Sequence, residues 1–111
     1  MTRTFIQTDE FYNNWQELGF TEDDLIRLEI EIMRDPKKAP VIPGTGSLRK
    51  MRFAMKDKGK SGSARVCYVD FVVHETIYLI TAYGKNEKEN LSKAECNAIK
   101  KLISSLEKGL N

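Results

Sequence analysis

Histidine is nearly absent from this chain of 111 residues: there is one, His74. A mechanism that needs two histidines, one as acid and one as base, is excluded by count. Cysteine is almost as scarce, and Cys67 and Cys96 stand far apart with no second cysteine near either. That spacing fits neither a zinc site nor a redox motif. Two buried free thiols are the expectation, with a disulfide left open because sequence does not fix the distance between their Cα atoms. Long apolar runs are missing too: the strand-like stretches are broken by Asp70 and His74, and none is long enough to cross a bilayer. The opening MTRTFIQTDE has no signal-peptide core. A soluble, cytoplasmic protein without a membrane partner is expected. Gly44-x-Gly46 lacks the lysine and the following helix of a phosphate-binding loop, so it reads as a turn.

What the chain does have is segregated charge. From 43 to 68, PGTGSLRKMRFAMKDKGKSGSARVCY, seven basic residues face one acid, Asp57, for a local charge of +6 in a chain whose formal charge is +2. The preceding 42 residues carry nine acids against five bases, and residues 66 to 111 balance at six each. A positive block in a nearly neutral protein points to a polyanion as partner. With 41% hydrophobic residues, 111 positions suffice for one core, so 1–111 reads as a single domain.

Residues 2 to 7, TRTFIQ, read as a first strand. Thr8 then caps a helix with Asp9 and Glu10 in its first turn, and Phe11, Trp15 and Leu18 form a stripe ending at Gly19. Thr21 and Asp24 form a shortened capping box for a second helix with Leu25, Leu28 and Ile32 on its stripe, which stops before Asp35-Pro36. After a Pro- and Gly-rich linker, Met51, Phe53 and Met55 alternate with Lys50, Arg52 and Lys56, giving a strand with one apolar and one cationic face. KDKGKSG, 56 to 62, is a polar hairpin loop. Residues 63 to 73 and 76 to 83 are apolar on both faces and predict buried strands separated by a turn at His74-Glu75. Ser92 and Glu95 form a full capping box for the last helix, whose stripe is Cys96, Ile99, Ile103 and Leu106. The order β-α-α-β-β-β-α is an α+β arrangement, with neighbouring strands expected to pair antiparallel.

Three linked motifs stand out: G-x-G-x-L-R-K-x-R within VIPGTGSLRKMRFA, G-K-x-G-x-x-R-V within GKSGSARVCY, and A-Y-x-K-N-E-K within IYLITAYGKNEKENL. In this order, behind a helical hairpin, they resemble the RelE/ParE superfamily of bacterial toxins, in its HigB-type branch. The resemblance spans essentially the whole chain. It implies a RelE-like antiparallel four-stranded sheet, and a type II toxin that enters the ribosomal decoding site and cleaves messenger RNA without metal or other cofactor. It further implies inhibition by a cognate antitoxin, expected to be a helix-turn-helix protein through which the complex binds operator DNA. A ParE-like inhibitor of DNA gyrase and a basic RNA-binding module without catalysis are the alternatives, because a shared fold does not fix function.

Metal-free RNA cleavage needs the 2′-hydroxyl deprotonated, the phosphorane charge stabilised and the leaving 5′-oxygen protonated. Arg65, opening the central strand, is the candidate to grip the phosphate through parallel hydrogen bonds. Lys85, just past the last strand, reaches the same end of the sheet, and Glu87 is the candidate proton acceptor. Lys50, Arg52, Lys56, Lys58, Lys60, Asn86 and Lys88 are the candidate RNA contacts. The ordinary readings are a surface arginine paired with a carboxylate, solvated turn and hairpin lysines, a Glu87 that pairs with Lys88, and an Asn86 that completes the turn. Tyr83 is read as core before it is read as a base-stacking ring. Relatives of this type place an arginine and, further on, a tyrosine where this chain has Asn86 and Ser92, so their acid-base pair is not carried over.

Overall fold

The computed structural model describes residues 2–54 and 63–111; Met55, Lys56, Lys58 and Lys60 lie outside the described residues. The elements are β1 (Thr4–Gln7), α1 (Asp9–Glu17), α2 (Glu22–Arg34), β2 (Arg49–Phe53), β3 (Ala64–Phe71), β4 (Thr76–Gly84) and α3 (Lys93–Leu110). Each helix starts where its cap predicts. Thr8 Oγ1 accepts the Phe11 N–H at 3.0 Å, and capping boxes close at Thr21/Asp24 and Ser92/Glu95. A cap of this kind stabilises its helix by about 1 kcal/mol. α2 ends at Arg34 because Asp35, preceding Pro36, has left helical geometry.

The sheet order is β1-β4-β3-β2. β2, β3 and β4 pair antiparallel as expected, but β1 lies parallel to β4, with Thr4 opposite Thr76. The expectation of a wholly antiparallel sheet is thus corrected at one edge. Short turns enforce antiparallel pairing only between the strands they join. β1 joins no neighbour by a turn: it leads through Thr8 into the helical hairpin, and the chain returns at the opposite edge as β2. β3 also ends sooner than its apolar sequence suggests. Val72–His74 form one turn of 3₁₀ helix and Glu75 takes a left-handed conformation (φ 49°), which reverses the chain into β4.

The sheet is covered on both faces. On one, α1 and α2 pack Phe11, Trp15, Phe20, Leu28 and Ile32 against Phe53, Val66, Tyr68, Ile77 and Leu79. The aromatic rings stack in sequence, Trp15 lying 5.3 Å from Phe11 and 4.2 Å from Phe20 between centroids. On the other, α3 packs Ile99 and Ile103 against Leu48, Cys67, Val69, Phe71, Ile80 and Tyr83. Cys67 is buried, Cys96 is half-buried on α3, and both are free thiols. Burial pushes the Cys67 thiol up to about 12, so it packs as a small apolar side chain.

β4 carries one irregularity that decides what faces α3. The register steps from Cys67–Thr81 to Tyr68–Leu79, leaving Ile80 as an extra residue. Strict alternation would put Tyr83 on the face of Ile77 and Leu79, under the helical hairpin. The bulge reverses the alternation, and Tyr83 joins the α3 face instead. α1 holds this bulge: Asn14 Oδ1 accepts both the Thr81 hydroxyl and the Ala82 N–H at 3.0 Å, and the Thr8 hydroxyl donates to Ile80 O at 2.7 Å. Among the described residues, no helix is long and apolar enough to cross a membrane.

Candidate functional site

Alternation on β2 works as predicted, with Met51 and Phe53 facing the helical hairpin. Lys50 and Arg52 therefore point to the α3 face. The pairing places Arg52 opposite Arg65, and Arg65 opposite Tyr83, in one row across three strands. Like charges directly across a sheet repel, and no acid among the described residues forms an ion pair with either arginine. Arg65 is half-buried, and its Nη1 is shut from solvent with no hydrogen-bond partner among the described residues. An unsatisfied buried donor costs about 1–3 kcal/mol, so the row carries a standing penalty that an anion would remove.

The row ends at Tyr83, 2% exposed, whose hydroxyl is also buried without a partner among the described residues. Burial holds its phenol at about 12, so at neutral pH it remains a proton donor and not a base. Lys88 Nζ lies 5.1 Å from the ring centroid and donates to Glu95 Oε2 at 2.5 Å. That hydrogen bond, with the N–H of Ser92, holds the Glu95 carboxyl below the usual carboxylate range. Lys50 Nζ donates to Asn90 Oδ1 at 3.0 Å, tying β2 to the segment before α3.

Lys85 and Asn86 are exposed in the turn after β4. They stand at the same end of the sheet as Arg65, since Gly84 pairs with Ala64. Glu87 does not pair with Lys88 as its ordinary reading has it. Its Oε1 accepts the Gly84 N–H at 3.1 Å and closes the turn, while Lys88 goes to Glu95. The structure thus brings Arg65, Arg52, Lys50 and Lys88 to one face around Tyr83, with Lys85, Asn86 and Glu87 at its rim. Lys56, Lys58 and Lys60 fall outside the described residues. Arg49, also in the basic block, is spent on structure: its Nη1 donates to Lys37 O and Ala39 O at 2.9 and 2.7 Å.

Two arrangements on this face were not legible in the sequence. Glu95 was legible as a cap but not as the partner of Lys88, because the two meet only when the loop folds back on α3. Tyr83 is core, as read; what no local signal shows is the bulge that turns it to the α3 face. A groove of about 760 Å³ also opens beside β2, lined by Glu31, Arg34, Lys38, Lys50, Arg52 and Tyr68 among others, and neither Arg65 nor Tyr83 lines it.

Two comparisons bear on what this site belongs to. A family model described as "RelE toxin of RelE / RelB toxin-antitoxin system" matches residues 8–110. Among solved structures, the chain is similar to a free-state double arginine-to-alanine mutant of the E. coli toxin RelE, with TM-score 0.59 and 16% identity over 80% of this chain and 90% of that one. At that identity the second match speaks for the fold.

Proposed function

The chain belongs to the RelE toxin family of toxin-antitoxin systems, and on that premise we propose that it arrests translation by cleaving messenger RNA in the ribosomal decoding site, as a single toxin domain spanning 1–111. The observation that carries this reading is the cross-strand pair Arg52–Arg65, two cations facing each other with a buried guanidinium nitrogen unpaired. A structure that serves only its own stability has no use for such a pair. A phosphodiester passing over the α3 face satisfies it.

In this reading Arg65 donates to the non-bridging oxygens and stabilises charge as the 2′-oxygen attacks phosphorus. Arg52, Lys50 and Lys88, with Lys56, Lys58, Lys60 and Asn86, track the neighbouring backbone. Glu87 has one oxygen on the Gly84 N–H and offers the other as acceptor of the 2′-proton. Lys85 beside it protonates the departing 5′-oxygen. A proton pair of this kind contributes about 10²–10⁴-fold for each member. A cognate antitoxin, an operator-binding helix-turn-helix protein, holds the toxin inactive by covering its cationic face.

The test is a translation extract given the purified protein, with message 5′ ends mapped. Cuts phased to codons and dependent on ribosomes are expected. Intact message together with altered plasmid supercoiling would replace this reading by gyrase inhibition, and intact message bound to the protein would reduce it to RNA binding.

A further inference from the structure

Among the described residues, two buried side-chain polar atoms have no hydrogen-bond partner, Arg65 Nη1 and Tyr83 OH. They belong to directly opposed residues of β3 and β4. The surroundings are not loosely bonded. Thr81 and Ala82 are satisfied by Asn14, Gly84 by Glu87, Ser92 by Glu95, and Lys50 by Asn90. Two unpaired buried donors on directly opposed residues are groups that an oxygen anion would satisfy.

Over the Tyr83 ring lies a cation that is already engaged. Lys88 sits over the Tyr83 ring and is held there by Glu95. Glu95 does not depend on Lys88 for its place, because its other oxygen accepts the Ser92 N–H at 2.9 Å in the capping box. The carboxylate is a fixed post and the lysine the movable partner.

We propose that Tyr83 OH, Arg65 Nη1 and Lys88 Nζ together bind one phosphate group, and that Glu95 engages Lys88 in the free protein until the phosphate replaces the carboxylate on the ammonium. This rests on the ribonuclease reading for the identity of the phosphate as part of an RNA backbone. Tyr83 becomes a phosphate contact, donating its hydroxyl proton to a non-bridging oxygen. Glu95 becomes a positioning residue, acting through Lys88 and not on RNA. The free protein therefore meets a competing carboxylate at its own site, which weakens binding of stray phosphates and favours a substrate held in place by other contacts.

Two substitutions of opposite sign test this. Binding of inorganic phosphate, and of a trinucleotide with 2′-O-methyl linkages, is followed by NMR on the purified protein without ribosomes. Tyr83→Phe keeps the packing and removes one donor, so the dissociation constant is expected to rise about tenfold while the melting temperature stays level or rises. Glu95→Gln retains a capping-box residue and loses the charge, so phosphate is expected to bind roughly threefold or more tightly. That gain is expected to vanish in a Lys88→Met background. Unchanged binding by Tyr83→Phe, or a Glu95→Gln gain that persists without Lys88, overturns the site. Phosphate binding as expected with uncut message overturns the ribonuclease reading alone. Codon-phased cleavage that Tyr83→Phe leaves unaltered overturns the site alone.

Discussion

Arg3 and Arg65 approach the same central strand from opposite ends and meet opposite fates. The burial pattern of β3 has two half-buried positions, Arg65 near its start and Asp70 near its end. At the far end Arg3 Nε and Nη2 bind both oxygens of Asp70, at 2.7 and 3.2 Å, with side chains 6% and 3% exposed. At the near end Arg65 faces another arginine, with a nitrogen that bonds to none of the described residues. One guanidinium is matched inside the fold, and the other carries a buried nitrogen without a partner among the described residues. The difference separates an arginine whose pairing is completed within the fold from one whose pairing is not, which charge counts along the chain do not do.

The strongest way to break this comparison is to remove each arginine in turn. Arg65→Ala is expected to lower cleavage by about 10²–10³-fold, as loss of a donor aimed at developing charge does, and to abolish growth inhibition. Circular dichroism and thermal melting should stay close to those of the unaltered protein. Arg3→Ala is expected to do the reverse. It strands Asp70 in the sheet at a cost of about 3–5 kcal/mol, read as a fall in the denaturation midpoint, while the molecules still folded cleave normally. The pair Arg3→Met with Asp70→Leu sharpens the contrast, since apolar replacement of a buried ion pair is often neutral. Undiminished toxicity in a folded Arg65→Ala protein removes that residue from the site.

Asn14 offers the next largest effect, because it reaches the site end through the bulge. Asn14→Ala leaves the Ala82 N–H and the Thr81 hydroxyl without their acceptor, for about 1–3 kcal/mol lost. It also frees β4 to resume strict alternation, which would turn Tyr83 under the helical hairpin. Activity per folded molecule is expected to fall about tenfold on this account. Equal specific activity at reduced stability would show that the bulge supports the fold and not the site. Nothing comparable is expected at the Arg3 end, where the register is regular.

How far the chain was legible follows the same division. Helix caps, apolar stripes and the β2 alternation are local patterns, and Thr8, Thr21, Ser92 and the Met51/Phe53 face all stand as read. The place of Arg65 near the start of a central strand also stands as read. The parallel edge at β1, the Ile80 bulge and the Lys88–Glu95 pair depend on residues distant in the chain meeting in space, and no local spacing encodes them. Tyr83 shows the limit most clearly: its type and burial were foreseen, and the face it occupies depends on an asparagine in α1.

Lys50 gives a smaller test on the cationic side. It is half-buried and its ammonium is tied to Asn90, so it is already positioned and its removal costs packing little. Lys50→Ala is expected to weaken RNA binding a fewfold regardless of sequence, and to reduce the slope of log affinity against log salt by about one. A change in codon preference instead would mean that Lys50 reads bases.

The smallest expected effect is on acid stability, and it compares the caps of α2 and α3. The Thr21 backbone N–H holds the Asp24 carboxyl below its ordinary range, with Arg27 assisting, while Lys88 chiefly does so for Glu95. A depressed folded pKa means that each contribution is full above the ordinary carboxylate pKa of about 4 and is lost as pH falls through the folded value. Stability should therefore decline modestly below about pH 4. Because Glu95 is 41% exposed at its side chain and paired with a lysine, its share should shrink at high salt. The share of Asp24, which rests on a backbone hydrogen bond, should not. Melting curves at pH 3 and pH 6, each at low and high salt, read this directly: Glu95→Gln should remove most of the salt-sensitive part. If Asp24→Asn removes it instead, the Lys88–Glu95 pair is too weak in solution to hold Lys88 over Tyr83.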